Sequence, residues 1–108
     1  MADFIEITND NFNELVINSK KPVLVDFFAT WCGPCKMLNP IMEAVSAEVG
    51  KSVVIAKCDI DKCMEIAQEY GLMNVPTLLM FKDGAEVDRA IGFRQKAQIL
   101  EMIKRVLA

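Results

Sequence analysis

The chain has 108 residues, 53% of them hydrophobic, and its 12 basic and 15 acidic side chains leave a formal net charge of −3. This length suits one compact domain, residues 1–108, and the apolar fraction excludes an intrinsically disordered chain. No basic run or stripe is present, which argues against nucleic acids and anionic membranes as partners, and no apolar run reaches the roughly 18 residues that cross a bilayer. The start of the chain lacks the basic and apolar regions of a secretory signal. We therefore expect a cytoplasmic protein whose thiols stay reduced. As a separate expectation, the protein is a monomer.

Strands and helices are predicted to alternate along the chain. Their expected positions are an edge strand at 4–7, a helix after 8, a buried strand at 23–29, a helix from 34 to 50, a strand within 52–59, a helix at 61–70, strands at 77–81 and 86–91, and a last helix with its apolar face at 99–107. Crossovers through helices imply parallel strand pairs, whereas Asp83-Gly84 predicts a tight hairpin between the last two strands. We therefore expect an α/β domain with a mixed central sheet of about five strands flanked by about four helices.

Two cysteines lie between the second strand and the helix after it, in the segment Trp31-Cys32-Gly33-Pro34-Cys35-Lys36. Cysteines three residues apart on a helical turn face the same way, which allows a reversible disulfide. Cys32 is expected at the helix N-terminus, where free N–H groups and the helix dipole favour its thiolate, the form that attacks disulfides. Cys35 lies one turn deeper and suits the resolution of a mixed disulfide. Gly33 and Pro34 add no charge that would stabilise Cys32 further, which favours a reductant over a strong oxidant.

A structural zinc site is the alternative interpretation of the four cysteines. Its ligands would be Cys32, Cys35, Cys58 and Cys63. Structural zinc sites usually combine two Cys-x2-Cys pairs, however, and the spacing from Cys58 to Cys63 is longer. Since the chain has no histidine and its core is large enough to fold without a metal, we expect no metal ion.

The segment at 31–36 resembles the active-site sequence of the thioredoxin family, Trp-Cys-Gly-Pro-Cys-Lys. The resemblance extends over essentially the whole chain, through Val25-Asp26-Phe27, Pro40, Lys57, Asp59, Asp61, Val75-Pro76-Thr77, Phe81-Lys82-Asp83-Gly84 and Gly92. A Cys-x-x-Cys pair near a strand–helix–strand pattern is typical of this class of redox protein, and the ordered set of further residues makes the match specific. The resemblance implies the thioredoxin fold.

The resemblance also assigns roles to two charged residues in apolar strands, Asp26 and Lys57. It implies that Asp26 is a buried carboxylate behind Cys35 that takes or relays the proton of this thiol, with Lys57 as its partner. Burial in an apolar strand should raise the pKa of Asp26 towards the working pH of a base. An ion pair with a purely structural role is the alternative, because structural pairs also perturb pKa values.

A docking surface for substrate around Cys32 is a further implication of the resemblance. Val75-Pro76 is expected to form the family's cis-proline turn, which leaves the backbone of Val75 free to pair with an extended substrate. Without the resemblance, a trans proline that opens the next strand is the alternative. The surface is expected to comprise Trp31, Gly33, Pro34, Val75, Pro76, Gly92 and Phe93. Phe28 departs from the family's pattern, since many members have tryptophan there.

Together these features imply an enzyme that reduces protein disulfides without a bound cofactor, its redox-active group being the Cys32–Cys35 disulfide. Cys32 would attack the substrate disulfide and Cys35 would resolve the mixed disulfide. The resemblance implies that a flavin- and NADPH-dependent thioredoxin reductase would then reduce the oxidised protein. Two other functions remain open: an oxidase or isomerase, which would differ in redox potential, and a binding module, which would keep its cellular function with both cysteines changed to serine.

Cys58 and Cys63 fall where the family offers little guidance. Cys58 ends a predicted strand and Cys63 lies early in a short helix. The nearby acidic residues, only partly offset by two lysines, should disfavour a thiolate at either position. We therefore expect two free and weakly reactive thiols, and a second, regulatory disulfide is the alternative.

Overall fold

The computed structural model describes residues 4–108. The expected domain and its polar start begin at residue 1, but residues 1–3 lie outside the described residues. The strands are β1 (Ile5–Glu6), β2 (Val23–Phe28), β3 (Val54–Asp59), β4 (Thr77–Lys82) and β5 (Ala85–Ile91). The helices are a π-helix (Asn13–Ile17), α1 (Gly33–Val49), α2 (Met64–Glu69) and α3 (Lys96–Leu107), and a 3-10 turn (Gly50–Ser52) follows α1. Within residues 4–108, none of the helices combines the length and the apolar character that a membrane crossing needs.

The five strands form one mixed sheet in the order β1-β3-β2-β4-β5, with β1 at one edge as expected. β3 pairs in parallel with β1 and β2, as strands joined through helices do, whereas β4 runs antiparallel to β2 and β5. The turn between β4 and β5 has positive φ at Asp83 (53°) and Gly84 (81°), as a type I′ hairpin turn requires. The expected fold class, mixed sheet and hairpin are thereby confirmed.

Two apolar clusters cover the two faces of the sheet. One packs α1 and α3 against strand residues such as Leu24 and Ile55. The other packs the π-helix and α2 against Val25 and Ala56 on the opposite face. Neighbouring residues of one strand join different clusters because successive side chains point to opposite faces. β2 is therefore buried on both faces, and Asp26, two residues after Leu24, is carried into the interior on the α1 side.

Two helices differ from the expectation. The helix after Thr8 is a short π-helix, in which the N–H of Asn18 donates to the carbonyl of Asn13 at 2.9 Å, five residues earlier. The Thr8 hydroxyl accepts the N–H of Asn11 at 3.2 Å and so closes the turn at residues 9–11, whereas the π-helix itself begins after Phe12 without a side-chain cap, so Thr8 does not cap the helix as expected. The start of α2 lies later than predicted, because the carboxylate of Asp59 accepts the N–H of Asp61 (3.0 Å) and holds these residues in a turn.

Candidate active site

Cys32 and Cys35 lie at the start of α1 and are joined as a disulfide. α1 begins within one residue of the expected position, because Pro34 suits the first helical turn, where its missing N–H is not needed. Cys32 is the N-cap residue, with extended backbone angles (φ −95°, ψ 112°), and Cys35 lies in the first turn. The two Cα atoms are 5.3 Å apart, within the range that disulfides adopt. The expected pairing of the two sulfurs is confirmed.

The start of α1 directs a backbone donor at the sulfur of Cys32. The N–H of Cys35 donates to Cys32 Sγ at 3.2 Å. In the reduced protein this N–H, together with the other unpaired N–H groups of the first turn and the helix dipole, would stabilise a thiolate at Cys32. The geometry therefore favours Cys32 over Cys35 as the attacking sulfur.

The two cysteines differ only slightly in how deeply they are buried. Cys35 is 2% exposed and Cys32 is 5% exposed, so Cys35 is the deeper residue, as expected, but by a small margin. The neighbouring side chain of Trp31 is 69% exposed, and its indole N–H donates to Oδ2 of Asp61 at 3.0 Å. This hydrogen bond fixes a large apolar ring at the surface beside the disulfide, where it can contact a partner.

The Val75–Pro76 turn lies against the disulfide. Its peptide bond is cis, which confirms the expectation from the resemblance. The carbonyl oxygen of Val75 is 3.7 Å from Cys32 Sγ. The carbonyl of Pro76 accepts the N–H of Gly92 at 2.8 Å, which joins the loop after β5 to the same turn. Gly92 has a φ of 93°, in the region that favours glycine. The structure thus brings Val75, Pro76 and Gly92 to the disulfide from two distant parts of the chain.

The remaining residues of the expected docking surface differ in exposure. Gly33 and Pro34 are exposed at the start of α1, next to Trp31. Phe93 is half-buried and packs against the apolar cluster under α1 and α3. The guanidinium group of Arg94 folds back on this loop and donates to the carbonyl of Phe93 at 3.1 Å. Phe93 therefore directs much of its surface to the core, whereas Gly33 and Pro34 face solvent.

Asp26 is fully buried in β2, beneath α1. Neither of its carboxylate oxygens has a hydrogen-bond partner among residues 4–108. Burial raises the pKa of Asp26 to about 6, because desolvation disfavours the charged form, and the charge of Lys57 opposes this rise without cancelling it. The expectation of a raised pKa is confirmed, and it lies close to the range in which a general base is effective.

Lys57 is the register neighbour of Asp26 on β3, but its ammonium group contacts other residues. Nζ of Lys57 donates to Oδ1 of Asn39 in α1 at 2.5 Å and lies 4.4 Å from the centroid of the Phe28 ring. A cavity of about 220 Å³ opens here and is lined in part by Cys35, Asn39 and Lys57. Lys57 therefore influences Asp26 through its charge, without a hydrogen bond to the carboxylate.

Cys58 and Cys63 lie in the apolar cluster on the other face of the sheet and are free thiols, as expected. The thiol of Cys63 donates to the carbonyl oxygen of Ile7 at 3.2 Å. Burial, contact with the Cys63 thiol and the charges of Asp59 and Glu6 raise the pKa of Cys58, and burial is also the main cause of a raised pKa at Cys63. Across the described part of the chain, no group of three or more histidine, cysteine or acidic side chains is placed to hold a metal ion.

Asn39 and Asp61 make contacts at this site to which the sequence analysis gave no role. Asn39 follows Cys35 by four residues, and residues four apart share one face of a helix. A polar residue on the sheet-facing side of α1 was therefore a signal that could have identified Asn39. Asp61 is among the residues that carry the family resemblance, but no local pattern predicted its contact with Trp31, which depends on the turn that follows β3.

The sequence is similar to known proteins over nearly its whole length. Residues 3–105 match the Thioredoxin family. The chain is 43% identical over 105 residues to a thioredoxin of Mycolicibacterium smegmatis, which covers 95% of this chain and 94% of that protein. It is 46% identical over 99 residues to a thioredoxin of Chlamydia caviae, with 92% and 94% covered. A bifunctional thioredoxin reductase/thioredoxin of Mycobacterium leprae is 42% identical over 103 residues, which span 95% of this chain and 22% of that protein.

Proposed function

This chain belongs to the thioredoxin family and is a thiol–disulfide oxidoreductase, and we propose that it reduces disulfide bonds of other proteins with Cys32 as nucleophile and Cys35 as resolving thiol. The observation that carries this assignment is the N–H of Cys35, which points at Cys32 Sγ from the first turn of α1. This N–H supports a thiolate at Cys32 and gives no such support to a thiolate at Cys35. The exposed ring of Trp31 beside the disulfide supports a macromolecular substrate.

The reaction has two exchange steps. The thiolate of Cys32 attacks one sulfur of the substrate disulfide, which forms a mixed disulfide and releases the other substrate sulfur as a thiolate that takes up a proton. Cys35 then loses its proton and attacks the sulfur of Cys32, which releases the second substrate thiolate and forms the Cys32–Cys35 disulfide. Two electrons pass from the protein's dithiol to the substrate, so this transfer needs no bound cofactor.

Asp26 is proposed as the group that takes the proton of Cys35. Support comes from its burial in β2 beneath α1 and from a pKa of about 6, which leaves most of the carboxylate ionised at neutral pH and still able to accept a proton. Lys57, which lines a cavity together with Cys35, is proposed to place a positive charge near the thiolate that forms there.

The docking surface proposed for the substrate comprises two segments that meet at Cys32. One is the exposed start of α1 with Trp31, Gly33 and Pro34, and the other is the Val75–Pro76 turn with Gly92 attached to it. An extended substrate would pair with the backbone of Val75 and place its disulfide over Cys32. Phe93 is proposed to support this surface from the loop after β5, since it packs half-buried on the core.

The partner that returns electrons is proposed to be a thioredoxin reductase that uses flavin and NADPH. The M. leprae relative, in which a thioredoxin and a thioredoxin reductase form one bifunctional protein, supports this pairing. We further propose that the protein acts as a monomer in the cytoplasm. Sedimentation of the purified protein and fractionation of the cells that make it test these two points.

Reduction of insulin tests the proposed function directly. The wild-type protein should accelerate insulin reduction by dithiothreitol, and also by NADPH when a thioredoxin reductase is added. Cys32→Ser should abolish both activities, whereas Cys58→Ser, a matched change at a buried thiol outside the site, should retain them. If the protein accelerates disulfide formation in reduced substrates but not insulin reduction, an oxidase is the better assignment.

A further inference from the structure

Two acceptors lie near the ammonium group of Lys57, namely the carboxylate of Asp26 and the amide oxygen of Asn39. Asp26 and Lys57 occupy paired positions on the parallel strands β2 and β3, so their side chains emerge on the same face of the sheet, under α1. A carboxylate and an ammonium group so placed would ordinarily form an ion pair. Asn39, in the second turn of α1, offers a neutral amide oxygen to the ammonium group of Lys57.

The structure shows that Lys57 takes the neutral acceptor. Nζ donates to Oδ1 of Asn39 at 2.5 Å, and the ring of Phe28 lies beneath it at 4.4 Å from the centroid. The carboxylate of Asp26 is left without a hydrogen-bond partner among residues 4–108. Two contacts from different elements, α1 and β2, thus hold the ammonium group at the cavity that Cys35 also lines.

Solvation gives a physical reason for this choice. Asp26 is fully buried, and an ion pair with it would require Lys57 to give up water for a buried site, at a large desolvation cost. At the cavity the ammonium group keeps access to water, an amide oxygen and the face of an aromatic ring. Asn39 is well suited to this task because its oxygen accepts a hydrogen bond without adding a charge near Asp26.

We propose that Asn39 is a positioning residue for the disulfide exchange, which holds the ammonium group of Lys57 beside Cys35 and out of contact with Asp26. The proposal rests on the proposed role of Asp26 as the base for Cys35. An ion pair between Lys57 and Asp26 would stabilise the carboxylate and make it a weaker base. Asn39 therefore preserves the basicity of Asp26 while it keeps a positive charge near the sulfur that must ionise.

Lys57 is the charged group through which Asn39 can act on Asp26. From β3 the facing side chain is Lys57, and from β4 it is the apolar Leu78. On α1, Cys35 and Lys36 line the cavity that Lys57 also lines. The residues that α3 adds to the cluster on this face are apolar. In the oxidised protein Cys35 does not titrate, so the titration of Asp26 can be followed there without interference from the thiols.

The test is the pKa of Asp26 in the oxidised protein, read from the carboxyl carbon signal of the aspartate by NMR. Asn39→Ala should lower this pKa by about 1, because Lys57 loses its acceptor and turns to the carboxylate. Alanine is a better helix former than asparagine, so the variant should fold. Ser46→Ala, which changes another half-buried polar residue of α1 two turns further on, should leave the pKa unchanged.

A double-mutant cycle shows whether Asn39 acts through Lys57. Lys57→Met should raise the pKa of Asp26, and adding Asn39→Ala to that variant should change it no further. An unchanged pKa in Asn39→Ala, or an equal fall with and without Lys57, would overturn the proposal.

The pH profile of insulin reduction separates this inference from the function on which it rests. If Asp26 is the base, the acidic limb of the profile should move down in pH together with the pKa in Asn39→Ala. If the pKa falls and the limb stays in place, Asn39 positions Lys57 as proposed, but Asp26 is not the base for Cys35. An unchanged pKa with an unchanged limb rejects the positioning role alone.

Discussion

Cys32 and Cys63 occupy equivalent positions on two helices, yet their sulfurs have opposite surroundings. Each is the N-cap residue of its helix, Cys32 of α1 and Cys63 of α2. The sulfur of Cys32 accepts the N–H of Cys35, whereas the thiol of Cys63 makes no cap hydrogen bond and donates to the carbonyl oxygen of Ile7. Position at a helix start is thus not sufficient to activate a cysteine.

The direction in which the sulfur points decides between the two outcomes. Backbone N–H groups stabilise a thiolate, whereas a carbonyl oxygen can only accept a hydrogen bond from the protonated thiol and would repel the anion. α2 is also short, with six residues against 17 in α1, so it aligns fewer peptide dipoles behind its first turn. The same residue type at the same helical position is therefore reactive in one case and structural in the other.

Loss of one active-site sulfur should produce the largest effect. Cys32→Ser should abolish substrate reduction, whereas Cys35→Ser should still attack and then stop as a covalent mixed disulfide. Mass spectrometry after exposure to a cell extract should find trapped partner proteins on Cys35→Ser. Partners trapped on Cys32→Ser instead would reverse the roles of the two sulfurs.

Alkylation of the reduced native protein compares the two pairs of cysteines directly. Iodoacetamide should modify Cys32 at least about 100-fold faster than Cys58 or Cys63, because burial and a raised pKa both lower the thiolate fraction of the latter two. Denaturation should remove the difference for Cys58 and Cys63. Peptide mapping by mass spectrometry measures all rates in one sample.

Mild oxidation is the control for that comparison. At oxidant levels that just close the Cys32–Cys35 disulfide, Cys58 and Cys63 should remain free thiols. A disulfide between Cys58 and Cys63 under the same conditions would contradict the structural role and favour the regulatory one.

Asp26 is the proposed proton acceptor of the Cys32–Cys35 pair, whereas the acidic residues near Cys58 and Cys63 raise the pKa of these thiols. Asp26→Asn should slow insulin reduction at neutral pH by about tenfold or more, since Cys35 would lose its proposed proton acceptor. Turnover equal to wild type between about pH 6 and about pH 9 would exclude a base role. Asp26→Asn retains the size of the side chain, so a slower reaction reports on the carboxylate rather than on packing.

The stability of Asp26→Asn should depend on pH. The folded pKa of Asp26, about 6, lies above its ordinary value of 3.8, so folding favours the protonated carboxyl. The contribution of Asp26 to the free energy of unfolding of the wild type is therefore highest below about pH 4, where the carboxyl is protonated. It falls by a total of about 3 kcal/mol as pH rises through about 6. Asn does not titrate, so the free energy of unfolding of Asp26→Asn should rise relative to that of the wild type, by up to about this amount, between about pH 4 and about pH 8. Urea denaturation at several pH values measures it, and a difference that does not change with pH would contradict the raised pKa.

Removal of the Cys63 thiol should have the smallest effect. Cys63→Ala deletes one buried hydrogen bond to Ile7 and a sulfur atom, so the free energy of unfolding should fall by about 1 to 2 kcal/mol. Insulin reduction should not change, because Cys63 lies in the cluster on the opposite face of the sheet from Cys35. A loss of activity without a loss of stability would show that the two pairs communicate.

Much of this structure could be predicted because its signals are local. The alternation of strand and helix patterns, the Asp83-Gly84 turn and the Pro34 helix start each depend on residues close in sequence, and all three were confirmed. The errors were local as well. The π-helix and the late start of α2 arise from i→i+5 bonding and from the Asp59 side chain, which compete with the regular helical pattern.

The sequence by itself determined the chemistry of the site, namely two cysteines at a helix start and a carboxylate in an apolar strand. Only the tertiary structure decided which acceptors these groups meet. Asn39 for Lys57, Ile7 for Cys63 and Asp61 for Trp31 all come from other elements of the fold. The physical reason is that propensity and hydrophobic pattern act over a few residues, whereas a hydrogen bond or a buried charge depends on atoms that packing brings together from distant parts of the chain.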